Sequence, residues 1–135
     1  LYSINTESPK KQTVQIVRDA QKFVDRVVAR LSPICPVTSR AMFGGYGLFA
    51  DGVIFALIAY NTLYFKVDDG NRGDYIDSGM PPFSYMGKHK PIQMSYYQLP
   101  ETVWADLEIL AVWVEHAIAA GRRAKSQQKK SKPKP

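Results

Sequence analysis

The chain has 135 residues, of which 45% are hydrophobic and 22% charged, so it has room for one compact domain with a modest core. Its longest apolar run, Val53–Tyr60, is far too short to cross a bilayer, so no membrane partner is expected. The single cysteine, Cys35, has no second thiol with which to form a disulfide or a metal site, and a cytoplasmic location is expected.

Positive charge is concentrated at the carboxyl end. The formal net charge is +6, but seven of the eighteen Lys and Arg residues follow Gly121, where there is no acid. The eleven that remain are matched by twelve acids, so the rest of the chain is close to neutral. Residues 125–135 contain only Lys, Ser, Gln and Pro, which predicts a disordered basic tail. Possible nucleic-acid contacts are the cations of this end: Arg122, Arg123, Lys125, Lys129, Lys130, Lys132 and Lys134.

The chain is predicted to begin with an arm and a helix. Residues 1–12 are expected to be a flexible arm, and the domain is expected to span residues 13–124. Apolar residues recur at helical spacing over Thr13–Leu31, which predicts a helix. Pro33 lies just beyond it, and the following segment, Val37–Phe43, is expected to be extended.

The centre of the chain is predicted to be an antiparallel meander. Asp51-Gly52 stands between two apolar runs rich in β-forming residues, which is a strong signal for a tight hairpin turn, and Tyr60-Asn61 provides the next corner. The predicted strands are Tyr46–Ala50, Val53–Ala59 and Thr62–Val67.

The stretch Gly45–Ala50 formally satisfies the Gly-x-Gly-x-x-Ala dinucleotide fingerprint, with Asp68 and Asp69 at a suitable distance for a ribose-binding acid. That fingerprint requires a helix to open at the third position, whereas these residues run into a strand and a hairpin. Gly44 and Gly45 are therefore expected to let the chain turn or bulge between strands.

The second half is predicted to contain a short helix, two strands and a final helical region. A polar stretch forms one helical turn at Asn71–Asp77, and Phe83–Tyr85 and Ile92–Leu99 are interpreted as strands. The last region begins near Pro100, and Asp106 is placed to cap a second helical segment.

No persuasive catalytic set is present in the sequence. Cys35 is flanked by prolines, and His89 and His116 are the only histidines that could serve it as a base. The acids around Asp68 lack the spacing of a calcium loop. We therefore expect a protein that is not an enzyme and that uses no cofactor or metal.

Three ordered motifs carry a resemblance to a known family. SRAMFGGYGLFADGVIFALI, then TLYFKVDDGNR, then PFSYMGKHKPIQMSYYQLPE resemble the amino-terminal domain of the TfoX family, the bacterial competence regulators also called Sxy, from about Val27 to Arg123. The resemblance implies an α+β domain, a two-layer antiparallel sheet with helices in the order α-β-β-β-α-β-β-α, similar to the secretion-chaperone-like fold. Full competence regulators carry a second helical domain and act with the cyclic-AMP receptor protein. This chain is expected to be a stand-alone single-domain member.

The family motifs supply the candidate interaction residues. Arg40 and Lys66 are expected to lie near one another and to pair with Asp68 or Asp69, or else to hold an acidic partner. Lys88, with its neighbours in the next turn, is expected to meet a phosphate or an acidic partner or simply to be solvated. The candidates are Arg40, Met42, Phe43, Gly44, Gly45, Lys66, Asp68 and Lys88.

Three functions remain open at this point. The leading hypothesis is a protein-interaction module that contacts the transcription machinery or a regulator and so assists transcription or competence control. The second is a nucleic-acid-binding protein that holds DNA without sequence preference through its basic end. The third is a pocket for a small ligand or peptide between sheet and helix, lined by Tyr46, Phe49, Tyr64, Tyr96 or Tyr97. The oligomeric state is left open.

Overall fold

The structure is a computed structural model that describes residues 9–42 and 44–131, with side chains for residues 19–42 and 44–128. In these residues the helices are α1 (Pro9–Leu31), α2 (Arg72–Asp77), α3 (Glu101–Ala105) and α4 (Leu107–Ser131). The strands are β1 (Thr38–Met42), β2 (Gly45–Ala50), β3 (Val53–Ala59), β4 (Thr62–Lys66), β5 (Pro82–Met86) and β6 (Pro91–Gln98).

The strands form one antiparallel sheet in the order β1-β2-β3-β4-β6-β5. Two hairpin turns have the backbone that their sequences predict: Asp51 and Gly52 have φ values of 55° and 76°, and Tyr60 and Asn61 have values of 53° and 55°. The extended segment predicted at Val37–Phe43 contains a further edge strand, β1, so the meander has four strands rather than three.

The helices pack on one face of this sheet. A register row of Leu48, Ala56, Phe65 and Tyr97 crosses four strands and lies in the buried core. Apolar residues of all four helices join it there, among them Val24, Val27 and Leu31 of α1 and Leu110, Val114 and Ala117 of α4. The chain is therefore the two-layer α+β domain that the sequence predicts.

Asp106 separates the last two helices and caps the second of them, as predicted. It ends α3, and its Oδ1 accepts hydrogen bonds from the backbone N–H groups of Glu108 (3.1 Å) and Ile109 (3.2 Å) at the start of α4. Its carboxylate also suits the positive end of the helix dipole.

The predicted ends of the domain differ from the structure. α1 begins at Pro9, so residues 9–12 are helical rather than part of an arm, while residues 1–8 lie outside the described residues. α4 continues through Ser131, which corrects the prediction of a disordered tail from residue 125. Ala, Arg, Lys and Gln are good helix formers, and the first proline after Pro100 is Pro133. Residues 132–135 also lie outside the described part of the chain.

Candidate functional site

The candidate site is the sheet face opposite the helices, called here the open face. Arg40, Gly47, Leu57, Tyr64 and Gln98 form a register row across β1, β2, β3, β4 and β6. This row lies next to the buried row that contains Phe65. Because side chains alternate between the faces of a sheet, it points away from the helices.

An apolar concavity of 290 Å³ lies on the open face. Leu57 is buried beneath it, and aromatic side chains stand at one side: the Tyr64 and Phe83 rings are 4.9 Å apart, and the Phe83 and Tyr85 rings 6.4 Å. Its lining residues are Met42, Gly44, Gly45, Tyr46, Leu57, Ile58, Ala59, Tyr60, Phe83, Tyr85 and Met94. It can hold an apolar side chain or a small apolar molecule.

The glycine motif shapes one end of this concavity. Met42 pairs with Gly45 across the β1–β2 turn, where Gly44 has a φ of +76° that an L side chain rarely adopts. A side chain on Gly45 would collide with the backbone carbonyl of Ile58. The positive φ of Gly44 agrees with the turning role predicted for it, whereas Gly45 lies within β2, where a side chain would not fit against Ile58. Three of the predicted motif residues, Met42, Gly44 and Gly45, line the concavity. Phe43, also a candidate, lies outside the described residues.

Arg40 and Lys66 are both on the sheet but are not neighbours. β1 and β4 are three strand spacings apart, which is about 14 Å. Arg40 holds its guanidinium carbon 5.0 Å from the centre of the Phe49 ring, and Lys66 holds its Nζ 4.8 Å from that of Tyr96. The expected closeness of the two cations is therefore not found, and each lies over an aromatic ring instead.

The environment of Lys66 opposes its charge. The side chain is half-buried, and burial lowers the pKa of its amino group, while the nearby charge of Asp68 acts in the opposite direction. Burial also raises the pKa of Tyr96 to about 12, so this phenol is neutral at pH 7. Lys66 is thus a partly desolvated cation above a neutral aromatic ring.

A second depression, called here the cationic groove, lies between the open face and the end of α4 and has a volume of 760 Å³. The sheet contributes Phe49, Gly52, Val53, Ile54, Lys66, Met94 and Tyr96, and α4 contributes Gly121, Ala124, Lys125, Gln127 and Gln128. Lys66 and Lys125 are the charged residues among these lining residues. Because Met94 also lines the apolar concavity, the two depressions adjoin on the open face.

An ion pair holds α4 at this position. Arg123 donates from Nε to Oδ2 of Asp68 (2.5 Å) and from Nη2 to Oδ1 (2.9 Å). The loop is fixed in turn by Asn71, whose Oδ1 accepts from the Asp68 N–H (2.8 Å) and whose Nδ2 donates to the Lys66 carbonyl (3.0 Å). The Arg123 hydrogen bonds lower the pKa of Asp68. Asp68 is therefore the anchor for the end of α4.

The residues predicted to contact nucleic acid differ in how far they are engaged by other parts of the protein. Arg123 is held by Asp68, and Lys125 donates to the Gly52 carbonyl at 3.3 Å, while Arg122 is exposed. Lys129 and Lys130 lie in α4, but their side chains are not among those described. Lys132 and Lys134 lie outside the described residues.

The remaining candidates stand apart from both depressions. Lys88, with His89 and Lys90, is exposed in the β5–β6 turn and lines neither of them. His116 is exposed on α4. Burial raises the pKa of the Cys35 thiol, which is the opposite of what a nucleophilic cysteine needs. Among the described residues, no group of three His, Cys, Asp or Glu side chains could hold a metal ion, and no helix is long and apolar enough to cross a membrane.

The aromatic residues proposed to line one pocket are divided between two faces. Tyr97 is in the core. Tyr46 borders the apolar concavity, but its side chain packs against the core and donates from its hydroxyl to Oε1 of Gln21 on α1 (3.2 Å). Phe49, Tyr64 and Tyr96 belong to the open face. A different depression, of 410 Å³, lies beside α1 and α3 and includes Phe23 and Trp104, so it uses none of the five predicted residues.

The sequence reasoning missed the wall that α4 adds to the cationic groove. The signal that could have found it is the helix propensity of residues 122–130, which the composition of the tail concealed. It also missed the apolar concavity, which depends on β1. The signal for that strand is the Gly-Gly pair at residues 44 and 45, which separates the extended segment after Pro36 from the next predicted strand.

Comparison with known proteins supports one family. Residues 29–121 match the family model of the TfoX N-terminal domain, which covers more than half of the chain. The matched range includes all the strands of the sheet, the motif residues of the apolar concavity and Asp68. No curated protein matches the sequence significantly.

Proposed function

The chain belongs to the TfoX N-terminal domain family, and we propose that it is a non-catalytic regulatory domain that acts by contact with another protein. The partner belongs to the transcription machinery or is one of its regulators, in the context of transcription or competence control. The contact is made in the cytoplasm, which suits a chain with one half-buried free thiol.

The observation that carries this proposal is the apolar character of the open face. Helices of the described chain pack on the other face, yet Met42, Leu57, Phe83 and Met94 line a concavity here. Tyr85 stands at its side with 45% of its surface exposed. Contiguous exposed apolar surface is typical of an interaction site, because it gains stability when a partner removes it from water.

The environments of the nucleophilic and basic groups support a non-catalytic role. The Cys35 thiol has a raised pKa and is partly covered, so little thiolate forms at pH 7. Both histidines are exposed, and neither lines the concavity or the groove. The open face offers apolar surface and fixed positive charge, which are means of recognition rather than of proton transfer.

Site-specific photo-crosslinking in cells of the source organism tests this function. A photoreactive phenylalanine analogue replaces Tyr85 on the open face or, as a matched control, Ile109 on α4, since the two side chains are 45% and 44% exposed. We expect a discrete adduct with a second protein from position 85 and none from position 109. Absence of an adduct at position 85, or an equal adduct at position 109, would contradict the proposal.

A second candidate function is sequence-independent binding of nucleic acid by the end of α4. The supporting observation is that this end is a helix, with Arg122 exposed and no acid after Gly121. Binding of this kind falls steeply with salt. Fluorescence anisotropy with a mixed-sequence DNA duplex tests it on the full chain and on a variant with Arg122, Lys129 and Lys130 changed to Gln. Salt-sensitive binding that the variant loses supports this function, and binding that is absent or unchanged rejects it.

A further inference from the structure

We propose that the cationic groove binds an acidic segment of the partner protein, while apolar side chains of the same segment enter the apolar concavity. This inference rests on the proposed function and names the chemistry of the partner. The occupant is an extended peptide in which leucine or aromatic residues stand next to a run of Glu or Asp.

The charges around the groove favour an acidic occupant. Lys66 and Lys125 line it, and Arg40 lies over Phe49, which forms part of the same surface. No carboxylate is among the described residues that line the groove. Asp68, the acid nearest to Lys66 in the sequence, accepts hydrogen bonds from Arg123 on both of its carboxylate oxygens. The positive charge of the groove is thus left for a partner to complement.

The surroundings of Lys66 favour the binding of an anion from a partner. It is half-buried, and it is held over Tyr96 rather than extended into water. Removing an ammonium from water disfavours its charge, and burial lowers the pKa of Lys66 although the charge of Asp68 acts in the opposite direction. A carboxylate of the partner would stabilise the charged form of this lysine.

The two depressions are close enough for one short segment. Met94 lines both, and Tyr64, whose ring contacts Phe83 beside the concavity, is two residues from Lys66 on β4. Two strand residues span about 7 Å. An extended peptide of about eight residues, roughly 26 Å long, therefore reaches from the concavity into the groove.

The floor of the groove favours a peptide over single-stranded nucleic acid. Phe49 and Tyr96 would be the natural stacking platforms for bases, but each already has a cation of the protein against its ring. Ile54 and Met94 complete the floor and suit aliphatic side chains. An acidic peptide uses the cations and the apolar floor without displacing either.

The test uses the full chain and a fluorescein-labelled peptide of alternating Leu and Phe followed by Glu residues, about eight residues in all. Matched probes replace every Glu by Gln, or every Leu and Phe by Ser, and an oligothymidylate replaces the peptide. We expect anisotropy to report binding of the Glu peptide alone, weakened by added salt. Changing Lys66→Gln or Lys125→Gln should weaken it about threefold to tenfold each, and Lys66→Arg should retain it. The control Lys22→Gln, an exposed lysine on α1, should leave it within about twofold.

The outcomes separate this inference from the function on which it rests. Equal binding of the Gln peptide, indifference to both lysine changes, or binding of oligothymidylate in place of the peptide would each overturn the acidic-segment proposal. If the crosslink from position 85 persists in the Lys66→Gln and Lys125→Gln chains, the open face is still an interaction site but the acidic segment is wrong. If position 85 gives no crosslink in the unmodified background, the proposed function itself fails. Thermal melting confirms that the variants are folded.

Discussion

The ion pair between Asp68 and Arg123 gives the sharpest energetic prediction, because two elements distant in sequence meet there. The perturbations are Asp68→Asn, Arg123→Gln and the two together. Two charge-assisted hydrogen bonds of 2.5 Å and 2.9 Å favour a strong pair, but the side chains are 31% and 52% exposed, and solvent screens them. The coupling energy should therefore be about 1 kcal/mol, at the upper end of exposed pairs and far below a buried one. For a chain of this size, a change of that magnitude in the free energy of unfolding shifts Tm by about 4 °C.

Urea unfolding of the four proteins at pH 7 measures this coupling by a double-mutant cycle. The matched control is the pair of Arg72, at the start of α2, with Asp69 in the loop before it; the two are 2.6 Å apart, and the carboxylate side chain is 100% exposed. We expect the control pair to couple more weakly than Asp68 with Arg123. A coupling for Asp68 with Arg123 that is no larger than the control would refute the view that this pair anchors α4. In that case, Arg123 would again be free to serve as a nucleic-acid contact.

Three further predictions concern single sites. The Arg123 hydrogen bonds lower the folded pKa of Asp68, so the stability that they provide is complete above the ordinary carboxyl pKa of about 3.9 and is lost as the pH falls through the lowered value. Asp68→Asn should flatten this acid limb of the stability profile. Tyr75→Phe should raise the free energy of unfolding by about 1–2 kcal/mol in chemical denaturation, because its buried hydroxyl has no hydrogen-bond partner in the described part of the chain. Gly45→Ala should lower stability by about 1–3 kcal/mol, because its new methyl group would meet the Ile58 carbonyl. The control Gly73→Ala, in a helix and with open space around it, should be neutral or stabilising.

Each of these three predictions would be contradicted by a specific result. An acid limb unchanged by Asp68→Asn would mean that other carboxylates control the loss of stability at low pH. Destabilisation by Tyr75→Phe would show that the hydroxyl is hydrogen-bonded in solution. A Gly45→Ala protein as stable as Gly73→Ala would show that the β1–β2 turn can relax away from β3.

Local chemistry made much of the fold predictable. Asp51-Gly52 forms its turn because Gly accepts positive φ, and Asp106 caps α4 because its carboxylate can accept from the first N–H groups of a helix. Neither result depends on distant parts of the chain. The end of α4 was not predicted because the composition of residues 125–131 suits both a tail and a helix. The ion pair to Asp68, 55 residues away, is a tertiary contact that composition cannot show.

The candidate site was predictable only as a set of residues. Family motifs identified Met42, Gly44 and Gly45, which the structure brings to one concavity. The separation of Arg40 from Lys66 follows from strand order, and strand order is not contained in any single motif. A register shift between Leu48 and Phe49 also changes which residues face each other on β2 and β3. Such properties belong to the sheet as a whole.

The most direct test of the central claim is an NMR titration of the full, isotope-labelled chain with the Leu, Phe and Glu peptide. The account predicts that amide shifts move on the open face and at its border, at Leu57, Lys66, Met94 and Tyr96 and along residues 124–128. The amide shifts of Glu108 and Glu115, which are exposed on α4 away from the groove, should not change. Shifts confined to α1 and the outer surface of α4, with the open face unmoved, would contradict the claim that this protein meets its partner through the open face of its sheet.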